Sequence, residues 1–125
     1  MLNHKHLIIN ANVNKPFVGI KETEDFLTYL VGEIGMKIKI GPFAAYCEAD
    51  GNNGITAAVC IETSHCSIHL WDKTDPPLLR MDVYSCAEFD VQKTLDIVKK
   101  QFDPTHIEYI VLDRNNRIKL IIDKD

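Results

Sequence analysis

Nothing in this chain of 125 residues reads as a C-x-x-C pair, a membrane-length apolar run, a linker, an internal repeat or a low-complexity tract. Each absence removes a class of protein. Without C-x-x-C spacing, Cys47, Cys60, Cys66 and Cys86 make neither a zinc site nor a disulfide framework, and their places inside apolar strand patterns predict reduced, buried thiols. No apolar stretch reaches the ~20 residues that span a bilayer, and Met1 to Leu7 lacks the apolar core of a signal peptide. A cytoplasmic protein without a membrane partner is expected. An excess of basic residues is missing too: the formal charge of -4 disfavours a nucleic-acid partner and suits a small cationic ligand better. The length predicts one domain over residues 1–125, with a core modest enough that a homodimer or higher homo-oligomer would help to cover it.

What is present is a regular succession of strand and helix patterns. Leu7 to Val13 is a β-rich run closed by Pro16. From Glu22, the residues Phe26, Leu27, Leu30, Val31 and Ile34 recur at helical spacing, and Gly35 is a plausible stop. Met36 to Ile40 alternates as a strand, Gly41-Pro42 interrupts, and Phe43 to Glu48 runs extended towards a turn at Asp50 to Gly54. Ile55 to Ile61 then reads as an apolar strand leading straight into the segment that begins at Ser64. After Asp75-Pro76-Pro77, Leu79, Met81 and Val83 alternate with Arg80, Asp82, Tyr84 and Cys86 on opposite faces of a further strand. A second helix begins at Glu88, carries Val91, Leu95, Ile97, Val98 and Phe102, and ends before Pro104. Ile107 to Leu112 and Arg117 to Ile122 form a last hairpin about Asp113 to Asn116. The expected fold is α+β: a two-layer α/β sandwich, mainly antiparallel, with two helices on one face.

Chemistry concentrates in Glu62-Thr63-Ser64-His65-Cys66-Ser67-Ile68-His69-Leu70-Trp71. On a helix His65 and His69 would chelate one metal. The alternation of Ser64, Cys66, Ile68 and Leu70 against His65, Ser67, His69 and Trp71 is a strand pattern, however, and separates the two imidazoles by roughly 13 Å at about 3.3 Å per residue. No metal site is therefore expected there. His4 and His6 read as solvent-facing residues at a fraying end, with no metal role expected of them. Ser-His hydrolysis lacks support, because no G-x-S-x-G elbow or orienting acid surrounds Ser64. A third reading is a serine that processes its own backbone to a prosthetic group.

Gly54-Ile55-Thr56-Ala57-Ala58, Glu62-Thr63-Ser64-His65, Ser67-Ile68-His69-Leu70-Trp71 and Asp82-Val83-Tyr84-Ser85-Cys86 together resemble the prokaryotic S-adenosylmethionine decarboxylase proenzymes. The resemblance runs over nearly the whole chain. It implies self-cleavage between Thr63 and Ser64 and a pyruvoyl cofactor made from Ser64, whose carbonyl forms a Schiff base with the substrate amine. By the same resemblance, Ser64, Thr56 and His69 are processing residues, and Cys86 returns a proton to the substrate after CO2 leaves. His65 belongs to the motif without a defined role. Two departures are visible: Thr63 occupies the place of the family's glutamate, with Glu62 one residue earlier, and Trp71-Asp72-Lys73 replaces W-P-E, so Asp72 would have to serve as the ribose contact. The implied substrate is S-adenosylmethionine, for spermidine synthesis. Ornithine or arginine remains an alternative, as does an unprocessed homologue that binds a ligand or regulates a partner.

Overall fold

The computed structural model describes residues 3–16 and 19–124. The elements follow one another as β1 (Lys5–Val13), α1 (Ile20–Glu33), β2 (Ile38–Cys47), β3 (Gly54–Ile61), β4 (Ser64–Trp71), β5 (Leu78–Ser85), α2 (Val91–Phe102), β6 (Pro104–Asp113) and β7 (Lys119–Lys124). All strand pairs are antiparallel, and they form one seven-stranded sheet in the order β2-β3-β4-β5-β1-β6-β7. The expected two-layer α+β sandwich is the architecture found. Neither of the two helices is long and apolar enough to cross a membrane.

Period-two alternation decides which face of the sheet meets the helices. Leu7, Ile9, Ala11 and Val13 on β1, Ile55 to Ile61 at odd numbers on β3, Cys66, Ile68 and Leu70 on β4, and Leu79, Met81 and Val83 on β5 all point into one core. Opposite them stand Phe26, Leu27, Leu30 and Val31 of α1 and Leu95, Val98 and Phe102 of α2, with Phe26 and Phe102 packed edge to face at 5.1 Å. Each fully buried large apolar side chain contributes about 1.5–3 kcal/mol relative to exposure. Among the described residues no element covers the other face of the sheet.

Several boundaries differ from the sequence reading, for local reasons. The patterns at Met36 to Ile40 and Phe43 to Glu48 merge into the single strand β2, because Pro42 lies on an edge strand, where a missing N–H costs no ladder bond. Glu88 does not start α2; Asp90 caps it by accepting a hydrogen bond from the Lys93 N–H at 3.0 Å. The expected strands β3 and β4 pair as a hairpin whose turn, not foreseen from the sequence, is Glu62-Thr63 alone, with Ile61 opposite Ser64. The cysteines are all free, but only Cys66 is buried; Cys60 is exposed and Cys47 and Cys86 are half-buried, because their strands present them on the uncovered side or at an end.

Gly54 is the residue the hairpin β3-β4 can least afford to change. A Cβ there would fall 1.8 Å from the Leu70 carbonyl oxygen, which is backbone and cannot yield. Gly54→Ala is expected to lower stability by about 2 kcal/mol or more, read as a fall in the urea midpoint at unchanged slope. An unchanged midpoint would show that β3 and β4 are free to separate at that end.

Candidate active site

Ser64 follows a turn made of two residues with no glycine, asparagine or proline, and the backbone bends at Ser64 itself. Its φ is 150°, a value that residues bearing a Cβ rarely hold. Strain is thus localised on the residue expected to attack its own chain. The Thr63 carbonyl oxygen accepts the Cys86 backbone N–H at 2.8 Å, so the bond between Thr63 and Ser64 is polarised from β5. Thr63 is further held through its side chain: its Oγ1 accepts from the fully buried Ser85 hydroxyl at 2.9 Å and lies 3.2 Å from the Met36 sulfur. The residue standing where the family has glutamate is therefore a clamp on the junction. Glu62, exposed at the turn, contributes its backbone N–H to the Lys37 carbonyl at 2.9 Å.

A second group of candidates gathers elsewhere. Thr56 of β3 and His69 of β4 are directly opposed, with Oγ1 and Nδ1 3.2 Å apart. Trp71 lies 6.0 Å from the His69 ring and donates its indole N–H to Asn52 at 2.8 Å. Asp72 is engaged by the Tyr46 hydroxyl at 2.8 Å, a bond that raises the pKa of the phenol. Thr56, His69 and Trp71 line one small cavity of about 210 Å³ with Asn52. Because Ser64 and His69 are five residues apart on one extended strand, they are separated by roughly 16 Å. The structure brings Thr63, Ser64 and Cys86 together and brings Thr56 and His69 together, while Asp72 is held apart by Tyr46, and the two groups sit towards opposite ends of β4.

Between them lies a polar cluster that the sequence did not announce. Asp82 on β5 is bonded to His6 Nε2 at 2.7 Å, to His65 Nε2 at 3.3 Å and to the Ser67 hydroxyl. Burial pushes its carboxyl up, but the hydrogen bonds from His6 and Ser67, helped by the electrostatic influence of His6 and His65, outweigh this and hold it down at about 2. His6 is therefore not the solvent-facing residue its terminal position suggested, and His4 likewise bonds the Tyr84 hydroxyl at 2.7 Å; β1 lies between β5 and β6, which fixes both. Behind the cluster, burial drives the Cys66 thiol up to about 12, helped by the charge on Asp82, so this cysteine is an inert core residue.

A sequence model of the S-adenosylmethionine decarboxylase family matches residues 5–115. The chain belongs to that family. It is also 26% identical over 113 residues to the S-adenosylmethionine decarboxylase proenzyme of Archaeoglobus fulgidus, an alignment that covers 86% of this chain and 99% of the relative.

Proposed function

We propose that the chain is a proenzyme that cuts itself between Thr63 and Ser64 and then decarboxylates S-adenosylmethionine with the resulting pyruvoyl group. The observation that carries this reading is the junction itself: a strained Ser64 whose preceding carbonyl already accepts a hydrogen bond from the Cys86 N–H at 2.8 Å. Attack of Ser64 Oγ on the Thr63 carbonyl carbon forms an ester as the Thr63–Ser64 C–N bond breaks, relieving the strained φ. Loss of the Ser64 α-proton then expels the Thr63 carboxylate, and hydrolysis with release of ammonia leaves a keto group at the new terminus. When formed, that group supplies an electron sink for the decarboxylation. In this reading Cys86, whose N–H is bonded to the Thr63 carbonyl and whose thiol is free and half-buried, supplies the proton donor to substrate. The acidic surplus of -4 favours a substrate that carries positive charge, and similarity to the Archaeoglobus fulgidus S-adenosylmethionine decarboxylase proenzyme supports S-adenosylmethionine over ornithine or arginine.

Within this reading the working unit is a pair of chains. His69 and Thr56 can act as proton mover and hydroxyl partner at Ser64 only if they arrive from another copy, since roughly 16 Å of strand separates them in their own. The uncovered sheet face suits such a partner. Ile8, Ile110, Leu112 and Leu120 mark one flank and Ile40 and Phe43 the other, with Phe43 69% and Leu120 57% exposed.

Intact mass under denaturing conditions tests the cleavage. Wild-type protein should resolve into residues 1–63 and a fragment beginning at position 64 that lacks the mass of an amine. Ser64→Ala should stay whole and be inactive on all three substrates, because alanine offers no oxygen for the acyl shift. A wild-type chain that stays uncut on long incubation would favour the unprocessed, ligand-binding homologue instead.

A further inference from the structure

The Asp82 cluster has a geometry that neither processing nor decarboxylation uses. His6, His65 and Asp82 each present one ligand atom, and the three atoms lie within 4.8 Å of one another. They come from β1, β4 and β5, adjacent in the sheet but distant in sequence. One carboxylate oxygen, Asp82 Oδ2, faces both imidazole Nε2 atoms, at 2.7 and 3.3 Å.

We propose that His6, His65 and Asp82 form a binding site for a divalent transition-metal ion of the zinc and cobalt class. Two neutral imidazoles and a carboxylate are the ligand set such ions prefer, with a fourth position left to water. Ligand atoms around a tetrahedral ion at about 2.0–2.2 Å stand roughly 3.3–3.5 Å apart, so the present spacing needs only small side-chain movements to close on a metal. A supporting shell is in place. Ser67 donates to Asp82 Oδ1, which leaves Oδ2 turned to the imidazoles, and the Tyr84 ring packs against His6 at 5.3 Å and His65 at 5.7 Å.

One contact works against the metal and makes the proposal sharp. Arg114 Nη1 lies 3.2 Å from His6 Nδ1, and the guanidinium sits 4.5 Å above the Tyr84 ring. A guanidinium only donates, so it fixes the His6 proton on Nε2, where that proton is shared with Asp82. A metal at Nε2 moves the proton to Nδ1 and sets it against the Arg114 N–H. Arg114 is exposed and can swing into solvent, but its withdrawal costs its stacking and its bond. The arginine therefore acts as a competitor that keeps the site exchangeable. Removing it should strengthen binding.

The test uses untagged protein, both wild type and the uncut Ser64→Ala chain, so that its outcome does not depend on whether cleavage occurs. Co2+ and Zn2+ are titrated by calorimetry and by the visible absorption of protein-bound Co2+. One ion per chain is expected, with nitrogen ligation in the cobalt spectrum. His65→Ala and Asp82→Asn should each weaken binding by about 100-fold or more, whereas Arg114→Gln, whose amide oxygen can accept the Nδ1–H, should tighten it by about 10-fold. His65 is nearly half exposed, so its truncation leaves the fold intact and keeps the test meaningful if Asp82→Asn fails to fold. No saturable binding at about 100 µM ion, equal affinity in His65→Ala, or weaker binding in Arg114→Gln would each overturn the site.

Discussion

Co-expressing a Ser64→Ala chain with a His69→Ala chain is expected to restore cleavage, and only the His69→Ala chain should be cut. Each variant alone lacks one half of the reaction: the first has no nucleophile, the second no imidazole to move the proton. Mixed pairs contain one complete combination, Ser64 from one chain and His69 from the other. The expectation follows from β4, which holds the two side chains roughly 16 Å apart at its opposite ends and cannot fold back to unite them. Losing a positioned general base or acid costs about 10²–10⁴ in rate. Cleavage that is complete within hours in wild type should therefore be slight in His69→Ala alone and approach half of that chain in a statistical mixture. Separation of the chains by a size tag and mass measurement of each gives the answer. No cut in the mixture, with both variants folded and paired, would mean that His69 is a hydrogen-bonding partner of Thr56 and nothing more.

Cys86→Ser should separate self-cleavage from turnover. The group that polarises the Thr63 carbonyl is the backbone N–H of residue 86, at 2.8 Å, and serine keeps it. Cleavage between Thr63 and Ser64 should proceed at an ordinary rate. Turnover should fall by roughly 10²–10⁴, because a serine hydroxyl is a far weaker acid than a thiol and cannot replace it as proton donor. Misplaced protonation should follow, converting the keto terminus to an amine, so that the fragment beginning at position 64 changes mass as activity decays. Decarboxylation of S-adenosylmethionine, ornithine and arginine by the cut variant supplies the rates. Equal rates and a constant mass would leave Cys86 as a strand-end packing residue.

Periodicity made most of the fold legible. Leu79, Met81 and Val83 against Arg80, Asp82 and Tyr84 could only be a half-buried strand, and the stripe from Val91 to Phe102 only a helix, so β5 and α2 were readable from their residues alone. The turn at Glu62-Thr63 was not, because it contains none of the residues that announce a turn; its conformational cost falls on Ser64, as a φ of 150°. The junction residues could be named from a motif. Their division into two groups was implicit in the same strand pattern, since five residues at about 3.3 Å each put His69 roughly 16 Å from Ser64. The Asp82 cluster was invisible for a different reason: His6, His65 and Asp82 meet only through the order in which β4, β5 and β1 pair, and no spacing along the chain encodes that order.

That strand order governs what would become of the molecule after the proposed cut at Thr63–Ser64. Residues 1–63 carry β1, α1, β2 and β3, and the remainder carries β4, β5, α2, β6 and β7. The first piece does not lie beside the second. Its β1 is threaded between β5 and β6, bonded along its length to both, while its β3 holds the outer edge of β4. Neither piece could leave without opening the sheet at three seams at once, so topology would hold the two polypeptides together after the cut. The proposed cut would cost the architecture little, because the sheet does not rely on the Thr63–Ser64 bond to keep its halves in place.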